Sequence, residues 1–319
     1  MKILHVDKNH PLLIQGLESA GHENIELYFE SKSEILKIIH EFDVIIIRSR
    51  FPLDKKFLAA AKKLKIIGRL GAGIENIDFD FAKQKGIKVL SAPEGNRSAV
   101  GEHVIGMILC LMNKLIFSHQ KIQNGIWDRE ISRGYEIENK VIGIIGYGNM
   151  GRSLAKKLRG FNAKVIFHDI KKNIGDQYAE QVTVLKLKNE TQILSLHIPQ
   201  TKLTKGMIDL KFISEMKNPF WLINTSRGSN VVTKDLIKGL QNGKILGAGL
   251  DVLEHESSSF NSIFSEKQIP ESIKYLINTE NVILSPHVAG WTYESYEKLS
   301  KIILDKILSE FLLNQSAIN

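Results

Sequence analysis

Three residues of this 319-residue chain, Arg227, Glu256 and His287, have side chains that together could manage a hydride transfer. An arginine grips a carboxylate with two parallel N–H groups and polarises an adjacent carbonyl, which the point charge of a lysine does less well. A histidine at position 287 can give or take a proton near neutral pH. Glu256 beside it would favour the imidazolium and fix the orientation of the ring. The chemistry they describe is interconversion of a 2-hydroxy acid and its 2-keto acid, with a nicotinamide taking or giving the hydride and the histidine handling the hydroxyl proton.

The nicotinamide carrier is indicated by Val141-Ile142-Gly143-Ile144-Ile145-Gly146-Tyr147-Gly148-Asn149-Met150-Gly151. A short β-branched run leads into Gly146, Gly148 and Gly151 at the spacing G-x-G-x-x-G, and a helix-forming run, Arg152 to Arg159, follows. Gly146 would permit the tight turn, Gly148 would let the backbone approach a pyrophosphate, and Gly151 would allow close packing of helix on strand. The phosphates would rest on free N–H groups at the helix start. A second strand, Ala163 to His168, ends at Asp169, an acid placed to accept both ribose hydroxyls of NAD and to repel the 2′-phosphate of NADP, although Lys171 and Lys172 follow closely.

Strands and helices alternate from end to end, which predicts an α/β protein of two doubly wound parallel sheets. Before the glycine motif, strands are expected near residues 2–6, 43–47, 65–69 and 87–90, with helices at 11–20 and 54–64. Residues 97–117 read as one long helix, apolar on most faces and therefore buried, between domains or against a partner. His103 within it reads as structural. From Val141 onward, strands near 141–145, 163–167, 192–196, 220–224, 246–250 and 281–284 deliver four polar loops: Ser195-Leu196-His197-Ile198-Pro199, Asn224-Thr225-Ser226-Arg227-Gly228, Gly249-Leu250-Asp251-Val252 and Ser285-Pro286-His287-Val288-Ala289-Gly290. Ligands of open α/β sheets bind at the carboxyl ends of strands, so these loops should converge. The final helix, about 293–313, is expected to return to the first domain.

These stretches resemble the D-isomer-specific 2-hydroxyacid dehydrogenases over nearly the whole length. Gly68-Arg69-Leu70-Gly71-Ala72-Gly73-Ile74-Glu75-Asn76-Ile77-Asp78 is similar to the family's substrate-carboxylate loop, Asn224 to Gly228 to the strand end bearing its arginine, and Ser285 to Gly290 to that bearing its histidine. The 29-residue spacing from Arg227 selects Glu256 over Glu254, while Ser257 stands where the family commonly has proline. The resemblance implies a flavodoxin-like substrate domain (1–96 and 291–319), acting as a lid, and a Rossmann NAD domain (97–290), flanking a cleft. It also implies cofactor contacts from Gly146, Gly148, Asn149, Met150, Gly151, Asp169, His197, Pro199, Thr225, Ser226, Arg227, Asp251, His287 and Gly290, and a homodimer through the 97–117 helix and neighbouring segments. Backbone N–H groups of Ala72 and Gly73 would hold the substrate carboxylate opposite Arg227.

Arg48-Ser49-Arg50, Arg69 and Arg129 resemble positions where 3-phosphoglycerate dehydrogenases place arginines around the substrate phosphate, Arg129 acting from the partner subunit. That implies 3-phosphoglycerate and a role in serine biosynthesis, without the carboxyl-terminal regulatory domain of longer members. The alternatives are glyoxylate or hydroxypyruvate, D-lactate and erythronate 4-phosphate, or an NAD-sensing scaffold like the corepressors of the same family. The net charge of +8 is scattered without a block of like charges, so it suits an anionic small substrate and not nucleic acid. Cys110, the single cysteine, excludes a disulfide framework and a thiolate zinc site; no metal is expected, and the cytoplasm is the expected compartment. The amino terminus reads as a strand and not a signal peptide, and no apolar run spans a membrane.

Overall fold

In the computed structural model, which describes residues 1–254, 256 and 269–316, the chain forms two compact α/β units. The first comprises residues 1–96 and 291–316, and the second the described residues from 97 to 290. The first carries strands β1 (Lys2–His5), β2 (Glu23–Glu26), β3 (Val44–Ile47), β4 (Ile66–Arg69) and β5 (Lys88–Ser91), all parallel, in the order β2-β1-β3-β4-β5. That is the flavodoxin-like order. Its helices are α1 (Pro11–Ser19), α2 (Lys32–Ile38), α3 (Lys55–Ala60) and α4 (Phe79–Gln84). The run Val44-Ile45-Ile46-Ile47 is buried at every position, as befits a strand covered on both faces. Edge strand β2 was not anticipated: Glu-Asn-Ile-Glu has no apolar run, and backbone pairing with β1 rather than burial makes it a strand.

The second unit begins with α5 (Arg97–Met112) and α6 (Leu115–Gln123). Strands β6 (Val141–Ile145), β7 (Lys164–His168), β8 (Glu180–Gln181), β9 (Ile193–Leu196), β10 (Phe220–Asn224), β11 (Ile245–Leu250) and β12 (Val282–Leu284) form a parallel sheet in the order β8-β7-β6-β9-β10-β11-β12. The order reverses between β6 and β9, the switch point at which such sheets bind dinucleotides. Helices α7 (Asn149–Lys157), α8 (Val184–Glu190), α9 (Leu210–Glu215), α10 (Thr233–Gln241) and α11 (Glu271–Ile277) cover the sheet together with α5.

The single helix expected over 97–117 is instead two, bent by 55°. Neither glycine nor proline marks the break: Lys114 adopts a left-handed φ of 51°, and the Met112 carbonyl accepts the N–H of Tyr135, which returns from beyond α6. Val100, Val104, Met107, Ile108 and Met112 of α5 are buried in the core of their own unit, with Leu154 and Ala155 of α7 and Ile142 and Ile144 of β6. The exposed apolar surface lies further on, at Leu115, Ile116, Ile122, Ile126 and Trp127. The final helix, α12 (Tyr293–Ser316), places Leu299, Ile303, Ile307 and Phe311 in one core with Ile3, Leu13, Val44, Ile46 and Ile66 of the first unit.

Candidate active site

At the switch point, β6 ends in a turn that only glycine can make. Gly146 has φ of 91°, and a Cβ there would sit 2.4 Å from the His197 carbonyl oxygen. A Cβ on Gly151 would approach the Gly146 oxygen to 2.2 Å, whereas Gly148 opens onto free space. No side chain caps the start of α7, leaving the first N–H groups, at Asn149 and Met150, to an incoming anion. Asp169, one residue past β7, accepts the N–H of Tyr147 at 2.7 Å and of Lys171 at 2.8 Å, which steadies its carboxylate beside the glycine turn. Tyr147 is buried and stacks on Phe167, and burial raises its hydroxyl above the ordinary tyrosine range.

Two neighbouring loops keep buried polar atoms unpartnered among the described residues: His197 Nδ1 and Thr225 Oγ1. His197 Nε2 pairs with Ser195 Oγ at 2.8 Å, and burial pushes the imidazole down to about 4, so it stays neutral. The open glycine, uncapped helix start, ribose-side acid and orphaned polar atoms fit a dinucleotide. Pro199, also expected here, is exposed, and its carbonyl accepts the Thr204 hydroxyl.

The expected trio occupies three strand ends of this sheet. Arg227 follows β10 and donates from Nη1 to the Ser226 carbonyl at 2.6 Å. Its loop is locked by a buried amide network: Asn224 donates to the Arg227 carbonyl at 3.0 Å and accepts the Ser226 hydroxyl at 2.7 Å, and Asn230 donates to Ser226 Oγ and to the Ile198 carbonyl, each at 3.2 Å. Ser226 is thus committed to holding the loop. Gly228 lies flat against the next loop, where a Cβ would be 1.9 Å from the Leu253 carbonyl oxygen. This close approach sets the Arg227 loop beside the one carrying Glu256. Glu256 Oε1 contacts His287 Nδ1, while Glu254 accepts the N–H of Thr233 at 2.8 Å at the start of α10. Ser257, the departure from the family pattern, lies outside the described residues.

His287 has φ of 55°, a left-handed conformation uncommon in residues other than glycine. Its N–H donates to the Asp251 carbonyl at 2.8 Å. The Asp251 carboxylate, almost fully buried, accepts the N–H of Val288 at 2.8 Å, the N–H of Ala289 at 2.9 Å and the hydroxyl of Ser285 at 2.6 Å. Asp251 was expected beside the cofactor; its evident structural work is to shape the histidine loop through Gly290. The contribution of Asn230 was missed because its partners, Ser226 and Ile198, lie on loops that only the fold brings together.

In the first unit, Asp7 accepts the N–H of Arg48 at 2.6 Å and of Ser49 at 3.2 Å, setting the loop after β3. The Arg48 guanidinium lies 4.2 Å from the Trp291 ring and 5.2 Å from that of Tyr296. Its Nε and Nη2, which share one edge of the plane, are buried without a hydrogen-bond partner among the described residues. Burial lowers its pKa, with Asp7 and Tyr296 opposing. Arg50 is not available to a ligand in the same way, because it caps the carbonyls of Val6, Leu27 and Glu30. Arg69, at the end of β4, folds over Gly71. The N–H groups of Ala72 and Gly73 have no backbone acceptor among the described residues. Arg129 is exposed in the second unit, and Asp128 beside it accepts the N–H groups of Glu130 and Ile131 rather than pairing with it.

Residues 105–289 match the family model for the D-isomer specific 2-hydroxyacid dehydrogenase, NAD binding domain. Hydroxypyruvate reductase of Thermotoga maritima is 33% identical over 290 residues, covering 90% of this chain and 92% of that protein. D-3-phosphoglycerate dehydrogenase of Archaeoglobus fulgidus is 31% identical over 284 residues, covering 88% of this chain but only 51% of that longer protein. Among solved structures, D-lactate dehydrogenase from Aquifex aeolicus complexed with NAD and lactic acid superposes with a TM-score of 0.84 at 27% identity, covering 98% of this chain and 96% of that one. With the glycine turn, the acid after β7 and the strand-end loops in one parallel sheet, the chain belongs to the NAD-dependent D-isomer-specific 2-hydroxyacid dehydrogenases.

Proposed function

We propose that this enzyme interconverts 3-phosphoglycerate and 3-phosphohydroxypyruvate, in the first oxidation of serine biosynthesis. The carrying observation is the Glu256–His287 contact beside the Arg227 loop. Because Nδ1 faces Glu256, His287 presents Nε2 to the substrate, where it takes the hydroxyl proton during oxidation and returns it during reduction. Glu256 stabilises the imidazolium formed in that step. Arg227 holds the substrate carboxylate and draws electron density from the reacting C–O bond. NAD, when bound at the glycine turn, supplies the hydride acceptor. Gly146, Gly148, Asn149, Met150 and Gly151 would hold its pyrophosphate, Asp169 its ribose, and His197, Thr225 and Asp251 the nicotinamide end.

The five-stranded unit supplies substrate recognition in this reading. The N–H groups of Ala72 and Gly73 suit a carboxylate, and the unpartnered edge of Arg48, with Ser49 and Arg69, suits a distal phosphate. Arg129 is assigned to a second copy of the chain, and the exposed apolar residues of α6 favour a homodimer through that helix more than through α5. Among the described residues no single helix is long and apolar enough to cross a membrane, and we assign the enzyme to the cytoplasm.

Steady-state turnover followed by NADH absorbance tests the reading. The expected order of kcat/KM places 3-phosphohydroxypyruvate at least tenfold above hydroxypyruvate, glyoxylate and pyruvate. A preference for an unphosphorylated keto acid overturns the substrate assignment, and absence of turnover with all of them favours the scaffold.

A further inference from the structure

His103 lies on α5 and was read from sequence as a structural residue. Its Nε2 is 3.0 Å from Ser285 Oγ, and Ser285 Oγ is 2.6 Å from Asp251 Oδ1. The direction of this chain follows from proton counting. A serine hydroxyl has one proton, and an ionised carboxylate can only accept, so Ser285 donates to Asp251. Ser285 Oγ can then only accept from His103, which requires a proton on His103 Nε2. His103 Nε2 itself stands 3.7 Å from Asp251 Oδ1, too far to replace the serine link with a direct hydrogen bond. The Asp251 carboxylate in turn holds the N–H groups of Val288 and Ala289, the two residues after His287. The carboxylate is deeply buried, so each donor removed leaves it less well compensated than it would be in water.

We propose that His103 and Ser285 are positioning residues for His287, acting through Asp251. The chain fastens α5 to the loop in which His287 holds its left-handed backbone. Helix and strand are close enough for this to be stiff: a Cβ on Gly249, two residues before Asp251, would lie 3.1 Å from Met107 Cβ on α5. A donor at position 103 therefore sets where the imidazole of His287 stands, without touching substrate itself. The inference rests on the assignment of His287 as the proton carrier, but it also makes a statement about the loop that does not depend on turnover.

The test compares His103→Leu, His103→Gln and Ser285→Ala in the full chain. Leucine removes the donor, while the glutamine amide restores one at similar reach. His103→Leu and Ser285→Ala should each lower kcat by about 10- to 100-fold, the scale of an ångström-level misplacement of a reacting group, with the Kd for NADH changed less than about threefold. His103→Gln should recover kcat to within about threefold of the parent, and the double variant should be no worse than the poorer single one. Independently of any substrate, amide hydrogen exchange at Val288 and Ala289 should accelerate about tenfold in the leucine and alanine variants. Unchanged exchange in both overturns the proposal, as does a glutamine variant as impaired as the leucine one. Faster exchange with unaltered kcat also overturns the positioning role, leaving only a loop connection, whereas loss of the proton-carrier assignment itself would show separately as near-normal turnover of His287→Gln.

Discussion

Asp251 and Arg48 are charged residues at strand ends, one in each unit, and their surroundings differ in kind. Asp251 receives two backbone N–H groups and one hydroxyl within its own sheet, so its charge is internally compensated. Arg48 has aromatic rings against its guanidinium, but one edge of its fork is buried with no acceptor among the described residues. The contrast belongs to these two charges and not to the units as wholes. Asn224, Ser226 and Asn230 bond to one another, yet Asn230 Oδ1, His197 Nδ1 and Thr225 Oγ1 of the seven-stranded unit are buried without partners among the described residues, as Asn9 Oδ1 and Asn76 Oδ1 of the five-stranded unit are. A bonded shell lowers the reorganisation required at the moment of reaction, and an unmet donor edge gains from a matching ligand. Under the proposed function, the compensated Asp251 thus suits holding the His287 loop, and the unmet edge of Arg48 suits choosing the substrate.

The largest test of this contrast is at His287. His287→Gln should reduce turnover by roughly two to four orders of magnitude, the range for a positioned acid or base, with NADH binding nearly unchanged by fluorescence titration. Near-normal turnover would remove the bonded shell from the mechanism. Next comes Gly228→Ala, where the added methyl meets the Leu253 carbonyl at 1.9 Å. Backbone cannot yield as a flexible side chain does, so separation of the Arg227 and Glu256 loops should lower kcat/KM by about 100-fold. If activity survives and the thermal midpoint is unchanged, the two loops are not held by that contact.

Acid gives a third comparison. The neutral His197 imidazole lies at about 4 against an ordinary value of 6.5, so the folded state binds a proton less readily than the unfolded chain. Stability from this group is complete above about pH 6.5 and declines as pH falls toward 4, by on the order of 2 kcal/mol. Denaturant midpoints of the parent and His197→Asn should therefore converge across that window. Parallel curves would mean that His197 is not a buried neutral group.

The smallest effect is expected at Arg48. Arg48→Ala should lower kcat/KM for 3-phosphohydroxypyruvate by about 10- to 30-fold, the worth of a charge-assisted hydrogen bond, while leaving glyoxylate within about threefold. Equal losses for both substrates would show that the arginine supports the fold rather than choosing the ligand, and would erase the contrast between the two charges.

The regular part of this architecture was legible because it is repetitive. Apolar runs such as Val44 to Ile47 and Phe220 to Asn224 mark central strands, and the glycine motif marks the switch point. Strands β2 and β8 were not legible, since Glu23–Glu26 and Glu180–Gln181 are polar edges held by pairing with a neighbour. The break after Met112 was also hidden, because its cause is a carbonyl claimed by Tyr135 from beyond α6. In the candidate site, residue type singled out Arg227, Glu256 and His287, of which the structure brings Glu256 against His287. Arg50 looked equivalent to Arg48 until three carbonyls were found around it, and His103 looked inert until β12 brought Ser285 to it. Hydrogen-bond partners supplied by remote segments leave no local pattern to read.

The return of α12 to the first sheet also has a consequence for biosynthesis. Ile3, Val44, Ile46 and Ile66 leave the ribosome long before Leu299, Ile303 and Ile307, the residues that complete their core. That face of the five-stranded sheet, covered by Leu13 and Leu17 of α1 but not yet by α12, therefore stays partly exposed throughout synthesis of the entire seven-stranded unit. Such exposed apolar surface is what chaperones bind and what aggregates when they are scarce. Translation that stops before the last helix would release a chain with its glycine turn already formed but its five-stranded half unfinished, and proteases would meet that half first.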